Sequence, residues 1–237
     1  MKKILLFCFV IILQAQNIKL MTEIFSPYQF YKDNKLVGIS VDIVKAIQQK
    51  IGDTSKIKVY PWVRGIKILN NKKNSALFSM MRTPQREDKY LWVGPIAKLQ
   101  IVFFKKKNSK ITLNSIDDAR KVKKIGVSKS VATYDILTAK NFKNLDVINT
   151  IDEKNIEKLI KGRIDLWPYV KAAGLYKAKK LGVSNKIEVV PNIILAKGDL
   201  YIAFNKDTDP KIINKWQKAF DELQLSGKID QIKRAYR

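Results

Sequence analysis

Short apolar runs alternate along this chain with longer stretches whose apolar residues recur at helical spacing. Ile18–Phe25 is the first apolar run, and a helical pattern follows from about Val41, with Val44, Ile47 and Ile51 on one face. The pattern continues with a strand at 57–60, a helix from residue 61 onwards and a strand at 76–80. Alternation of this kind favours a parallel, doubly wound sheet covered by helices.

A second α/β unit follows the apolar strand Gln100–Phe104. Lys105–Lys110 is charged and irregular, and we interpret it as a crossing into a second lobe with strands at 124–127, 147–148, 164–166 and 187–190. Leu200–Phe204 carries the chain back, and a last helix starts near Asp209. The predicted fold is α/β, with two doubly wound lobes joined by a two-segment hinge around a ligand cleft. Lobe 1 is predicted over 17–104 and 197–237, and lobe 2 over 105–196.

The first 16 residues have the pattern of a secretory signal peptide. Lys2 and Lys3 precede an apolar run, Ile4–Leu13, and the small residue Ala15 follows. Ten apolar residues are too few to span a bilayer, which needs about 20. A buried first helix or strand is the alternative. Cleavage after Ala15 or Gln16 would remove Cys8 and leave neither cysteine nor histidine, which argues against a disulfide or a zinc site.

The charge is strongly basic, with 46 Lys+Arg against 21 Asp+Glu and a formal net charge of +25. Removal of Lys2 and Lys3 would lower it to +23. The lysines are scattered, and the longest run is Lys105–Lys107. Nucleic-acid-binding proteins concentrate their charge on one face or helix, so we predict a solvated surface and no nucleic-acid partner. A polyanion-binding protein is the alternative, and its binding would weaken steeply with salt.

Residues 78–95, FSMMRTPQREDKYLWVGP, place an arginine just after a predicted strand. The apolar run Ala76–Met80 ends at a turn around Thr83 and Pro84, and Arg86 follows. In open α/β sheets, ligands gather beyond the carboxyl ends of strands, where a guanidinium can bind an anion bidentately. A surface arginine paired with Glu87 or Asp88 fits the spacing equally well.

This stretch resembles the serine, threonine and arginine motif of the family 3 periplasmic solute-binding proteins, the amino-acid-binding class of ABC importers. Three further segments agree in the family's order: EIFSPYQFYKDNKLVGISVDIVKAI at 23–47, KIGVSKSVATYDIL at 124–137 and LIKGRIDLWPYV at 159–170. The resemblance implies the type II periplasmic binding protein fold. It also implies a periplasmic monomer without a cofactor, which binds a small carboxylate-bearing ligand and delivers it to the permease of an ABC transporter.

The resemblance assigns several ligand contacts. Arg86 would hold the ligand carboxylate, and Ser79 would add a hydroxyl or backbone contact to the same group. Ser130, in the loop from Ser128 at a helix start, would offer backbone N–H groups from the opposite lobe, or serve only as a helix cap. Tyr28 occupies a position where family members often have an aromatic residue against the ligand.

Other candidates follow from their places after strand ends. Trp62 and Arg64 follow the second strand, and Trp167 and Tyr169 follow the strand that ends near Leu166. Trp62 and Trp167 could equally cover the core. Glu23, near the end of the first strand, could bind a cationic ligand group or pair with Arg64.

The chain also departs from the family pattern. Val170 aligns with the carboxylate that contacts the ligand's α-ammonium, Val131 with a hydroxyl at a helix start, and Met81 with a further serine. Either Glu23 replaces the missing carboxylate, or the ligand is not a standard α-amino acid. A sensing module for a membrane receptor and a dehydratase-like enzyme are the alternative functions. The enzyme is disfavoured because catalysis would depend on Glu23 alone.

Overall fold

The computed structural model of the chain describes residues 18–129, 131–149 and 153–236. The predicted signal peptide and Ser130 lie outside the described residues. The described strands are Lys19–Thr22 (β1), Phe30–Lys32 (β2), Lys35–Val37 (β3), Lys58–Val59 (β4), Ser75–Met81 (β5), Tyr90–Lys106 (β6), Ile125–Ser128 (β7), Leu145–Ile148 (β8), Leu166–Val170 (β9) and Ile187–Asn205 (β10). The described α-helices are Ile39–Ile51 (α1), Trp62–Asn71 (α2), Ala132–Ala139 (α3), Glu153–Ile160 (α4), Lys171–Lys180 (α5), Pro210–Leu225 (α6) and Lys228–Arg234 (α7).

Eight strands form one sheet in the order β4-β1-β5-β10-β6-β9-β7-β8. At one end β4, β1 and β5 run parallel, and at the other β9, β7 and β8 run parallel. Antiparallel strands β10 and β6 join the two groups. The predicted parallel α/β units are therefore present, one in each lobe.

The joining strands are much longer than their apolar runs suggest. β6 has 17 residues and β10 has 19, whereas the sequence predicts separate five-residue and four-residue strands there. Pairing between β6 and β10 extends from Ile187 opposite Lys106 to Asn205 opposite Tyr90, with register shifts on the way. Turn residues such as Gly94-Pro95 suggest that a strand ends. In the structure, hydrogen bonds to the paired strand continue on both sides of such an irregularity, so the strand does not end there.

The hinge is thus a pair of antiparallel strands. Ala196 lies opposite Ile101, and Val189 lies opposite Phe104. The predicted boundaries, after residues 104 and 196, fall inside these two strands, and they stay a prediction.

Helices cover both faces of the sheet. Neighbouring residues on a strand point to opposite faces, and because both are apolar here, each face needs a helix to bury it. In lobe 1, Leu20 belongs to the apolar cluster that contains Trp216 and Phe220 of α6, whereas Met21 belongs to the cluster that contains Leu69 of α2. All seven residues of β5 are buried, as expected of a strand covered on both faces.

The second group of parallel strands is covered in the same way. Phe103 of β6 lies in the large cluster that contains both Leu20 and Leu137 of α3, and its neighbour Phe104 lies in the cluster that contains Leu159 of α4. Burial of each such side chain stabilises the fold by about 1.5–3 kcal/mol.

Two local features fix the starts of α1 and α6. Gly38 precedes α1 with φ 129°, and a Cβ there would lie 2.3 Å from the carbonyl oxygen of Tyr28, so only glycine fits. Asp209 caps α6 by accepting a hydrogen bond from the Lys211 N–H at 2.8 Å, with Pro210 in the first turn. The predicted start of the last long helix is confirmed.

Within the residues that the structure describes, no helix is both long enough and apolar enough to cross a membrane. Over the same residues, no three side chains of the histidine, cysteine, aspartate or glutamate types come together as a metal site would require.

Candidate functional site

A cavity of about 590 Å³ lies between the two lobes at the carboxyl ends of the parallel strands. Lobe 1 contributes Glu23 after β1, Trp62 at the start of α2 and Arg86 beyond β5. Lobe 2 contributes Thr133 at the start of α3 and Tyr169 from β9. In open α/β sheets, ligands bind beyond the carboxyl ends of the strands. The loops that follow the strands of both lobes meet at this place.

Arg86 is buried in this cavity, with 7% of its surface exposed. Its Nη2 lies 3.2 Å from Oδ2 of Asp135 in α3, and its Nη1 donates to the carbonyl oxygen of Met81 at 3.2 Å. The guanidinium also lies 5.8 Å from the ring centre of Trp62, within cation–π range. The predicted alternative partner, Glu87, pairs with Arg82 instead. Arg86 therefore has partners in both lobes, Met81 and Trp62 in lobe 1 and Asp135 in lobe 2.

Burial opposes ionisation of both members of this pair. Desolvation lowers the pKa of Arg86 from its ordinary value, and the nearby Asp135 carboxylate partly offsets the effect. Desolvation raises the pKa of Asp135, and the positive charges of Arg86 and Lys89 partly offset that effect. Burial thus works against the charged form of each member, and the opposite charge of the other member works in favour of it.

Ser79 lines the cavity beside Arg86 and is almost fully buried. Its backbone has φ 64°, which is uncommon for a residue with a side chain. Its hydroxyl donates to Oε1 of the buried Gln29 at 2.8 Å, which leaves the hydroxyl oxygen as an acceptor. Strained backbone of this kind concentrates at ligand sites, in agreement with its position in the cavity.

Aromatic side chains form part of the wall. Tyr169 lies in the cavity and stacks on Trp167, with ring centres 4.6 Å apart and an angle of 18°. Phe25 also lines the cavity and approaches Tyr169 edge-on at 6.3 Å. Trp62, which like Phe25 belongs to lobe 1, also lines the cavity and is half-buried.

Three candidates lie elsewhere. Trp167 is fully buried between Phe104 and Tyr169 in lobe 2, so its large ring fills the core instead of the cavity. Arg64 is exposed and is not among the lining residues, although it lies 5.0 Å from the ring centre of Tyr60, which lines the cavity. Tyr28 lies in a separate groove, and its hydroxyl donates to the carbonyl oxygen of Lys98 at 3.1 Å.

Tyr28 differs from its predicted position because the chain turns tightly after β1. The turn is closed by Phe25 and Gln29, whose backbones hydrogen-bond to each other. This turn points Phe25 into the cavity and Tyr28 toward the hinge strands. Burial there raises the pKa of Tyr28 to about 12.

Sequence analysis missed Thr133, Asp135 and Lys177. Asp135 follows Val131 by four residues, a helical spacing that would place it on the cleft-facing side of α3. Lys177 lines the cavity from α5, at spacings of seven and four residues from Val170 and Ala173. These spacings were a usable signal once the cavity position of Val131 and Val170 was known.

The departures from the family pattern all face the cavity. Val170, Val131 and Met81 are among its lining residues. Met81 and Val170 are buried, and Val131 is half-buried. Apolar groups therefore occupy the three positions that the resemblance assigns to a carboxylate and two hydroxyls.

Comparisons with known proteins agree with the architecture. Residues 18–237 match the model of the bacterial extracellular solute-binding proteins, family 3. The chain is 25% identical over 223 residues to the probable amino-acid-binding protein YxeM of Bacillus subtilis (strain 168). The matched region covers 89% of this chain and 79% of the relative.

Solved structures show the same fold at low identity. A histidine kinase sensor domain with similarity to periplasmic binding proteins superposes with a TM-score of 0.81, at 17% identity over 93% of this chain and 96% of the other. An ancestral arginine-binding protein bound to arginine superposes with a TM-score of 0.78, at 23% identity over 93% and 97% of the two chains. The predicted type II periplasmic binding protein fold is confirmed.

Proposed function

This chain belongs to the bacterial extracellular solute-binding proteins of family 3, and we propose that it captures a small carboxylate-bearing solute in the interlobe cavity and delivers it to an ABC importer. The solute would be an amino acid or a related compound. The observation that carries the proposal is Arg86, a buried guanidinium in a cavity between two lobes. A fixed positive fork in a poorly hydrated site binds a carboxylate more strongly than it would in water.

Both lobes would contact the same ligand. Arg86 and Ser79 reach the cavity from lobe 1, and Ser128 and Thr133 reach it from lobe 2. A ligand that touches both lobes binds the closed arrangement better than an open one, so binding would shift the population toward closure. We further propose Glu23, Trp62 and Tyr169 as ligand contacts.

The relatives support a transport role. YxeM is named a probable amino-acid-binding protein, and another chain of this fold is described as the substrate-binding protein of an amino acid ABC transporter. We propose that the signal peptide at 1–16 directs this chain across the inner membrane to the periplasm. There it would act as a monomer that presents its ligand, without chemical change, to the membrane permease.

A sensory role is the second candidate, favoured by the superposition with a histidine kinase sensor domain. Both roles use the same cavity. Transport predicts that cells lacking the protein lose uptake of the solute, whereas sensing predicts a lost transcriptional response with uptake intact.

A thermal-shift screen of amino acids, small carboxylates and polyamines tests the proposal. A ligand at a hundred times its Kd adds about 2.7 kcal/mol to the free energy of unfolding. For a chain of this size the melting temperature would rise by about 5–10 °C. If no carboxylate shifts the melting temperature, the proposed function is wrong. If the recovered ligand is chemically altered after incubation, the protein is an enzyme.

A further inference from the structure

The floor of the cavity is apolar on both sides of the hinge. Met81 of β5, Leu99 and Ile101 of β6, Val170 of β9 and Leu200 of β10 all line it, and each is at most 9% exposed. These side chains offer no hydrogen bond to a ligand. A polar group placed against them would lose its hydration without compensation.

The walls extend this apolar surface. Trp62 and Phe25 from lobe 1 and Tyr169 from lobe 2 face the same space. Aromatic faces of this size favour flat, apolar ligand bodies. The volume, about 590 Å³, falls within the range of about 300–1,000 Å³ that organic ligands of moderate size occupy.

The charge around the cavity has a definite sign. Among the described residues that line it, the cations are Arg86, Lys129 and Lys177, and the acid is Glu23. Asp135, which pairs with Arg86, adds a second negative charge, and Lys89 adds a positive charge that acts on Asp135. The formal charge of these six groups is +2, so a ligand with a net negative charge is favoured over a neutral zwitterion. Mismatched charge is costly in a site with low-dielectric walls.

An ammonium group on the ligand fits these surroundings poorly. It would cancel the ligand's net negative charge, and it would add a cation to a cavity whose lining already has three cations and one carboxylate among the described residues. The buried floor around Val170 gives it nothing to bind.

We therefore propose that the ligand is a small carboxylic acid with a net negative charge, a bulky apolar or aromatic body and no ammonium group. This inference rests on the proposed function, since it assigns the carboxylate to Arg86. It replaces the broader class of amino acids with acids that lack the amino group.

Three probes separate the features of this ligand class. 3-Phenylpropanoate has the aromatic body and one carboxylate, phenylalanine adds only the ammonium group, and glutamate has the same net charge with a polar body. Isothermal titration calorimetry on the chain from residue 17 onwards should give a Kd for 3-phenylpropanoate at least tenfold below those of the other two.

Each alternative result has a definite meaning. If phenylalanine binds as tightly as 3-phenylpropanoate or more tightly, the ammonium is recognised and the inference is overturned. If glutamate, or a cationic amino acid from the screen, binds tightest, the apolar body or the charge assignment is wrong. In those cases the proposed function survives. If no small solute binds, the proposed function fails as well.

A pair of variants tests the role of the floor. Val170→Asp places a carboxylate where the structure has an apolar side chain, and it should reverse the preference between phenylalanine and 3-phenylpropanoate. Val170→Thr keeps the shape without the charge and should leave the preference unchanged. An unchanged preference in a Val170→Asp protein with a normal melting transition would overturn the inference. If that variant does not fold, the comparison of the three probes on the unaltered chain decides.

Discussion

The guanidinium of Arg86 and the carboxylate of Asp135 lie 3.2 Å apart and join lobe 1 to lobe 2. Their side chains are only 9% and 23% exposed, so water screens the pair much less than it screens a surface pair. The same guanidinium lines the interlobe cavity. One charged group therefore contributes to both the contact between the lobes and the proposed ligand site, and the two roles can be separated by mutation.

Replacement of Arg86 should remove ligand binding. Arg86→Ala deletes the charge-assisted hydrogen bonds to the carboxylate, each worth about 1.5–3 kcal/mol, or about 10–150-fold in affinity. Calorimetry with a carboxylate from the screen measures the loss. Arg82→Ala is the matched control, because Arg82 is an exposed arginine of the same loop that pairs with Glu87. Full binding by Arg86→Ala would mean that the carboxylate lies elsewhere.

Replacement of Asp135 should have the opposite effect on affinity. Asp135→Asn leaves the positive charge of Arg86 uncompensated, so the Kd for a carboxylate should fall by about fivefold, which corresponds to roughly 1 kcal/mol. The melting temperature without ligand should fall, because the lobes lose an ion pair. Asp117→Asn, at a largely exposed side chain on the surface of lobe 2, serves as the control. Weaker binding by Asp135→Asn would show that the carboxylate of Asp135 helps to hold the ligand.

The buried phenol of Tyr28 should make stability depend on alkaline pH. Its pKa is raised from 10.0 to about 12 in the folded state, so its contribution is fully present below pH 10 and is lost as the pH rises toward 12. A shift of this size corresponds to about 2–3 kcal/mol. Denaturant unfolding at pH 9 and pH 11.5 measures the loss.

A variant isolates that effect from other titrations. Tyr28→Phe should be less stable at neutral pH by about 1 kcal/mol, since it lacks the hydrogen bond to Lys98, but should lose less stability in alkali. Tyr31→Phe is the control, because Tyr31 is 56% exposed. Equal alkaline losses in the unaltered chain and Tyr28→Phe would contradict the prediction.

Gly38 should tolerate no side chain. Gly38→Ala forces φ 129° on an L-residue and places a Cβ 2.3 Å from the Tyr28 carbonyl oxygen, so we expect a loss of about 3 kcal/mol or more in the free energy of unfolding. Gly52→Ala, with φ 71° and nothing within 4 Å of its Cβ, should cost about 1 kcal/mol. Denaturant unfolding compares the two. Similar losses would mean that the turn before α1 rearranges easily.

Much of the architecture could be predicted from local patterns. The helix that contains Val44 and Ile47, and the capped start at Asp209, follow from residues close together in sequence. The extent of β6 and β10 could not be predicted. Each strand continues through residues that, taken alone, predict a strand end, because the antiparallel partner supplies the backbone hydrogen bonds. The sequence could not place the rings of Tyr28 and Trp167 for a related reason. Tyr28 lies outside the cavity, and Trp167 takes the core position, which was one of the two left open for it. A strand end locates the backbone, whereas packing decides where a ring points.

The sequence by itself determined two α/β units, their family and the arginine beyond β5, because periodicity and motif spacing are local properties of the chain. Only the tertiary structure decided that Arg86 meets Asp135, that Phe25 rather than Tyr28 faces the cavity, and that Val131, Val170 and Met81 share one apolar lining. These relationships join residues from different strands and lobes. Contacts of that kind depend on the mutual position of packed elements, which no stretch of sequence encodes alone.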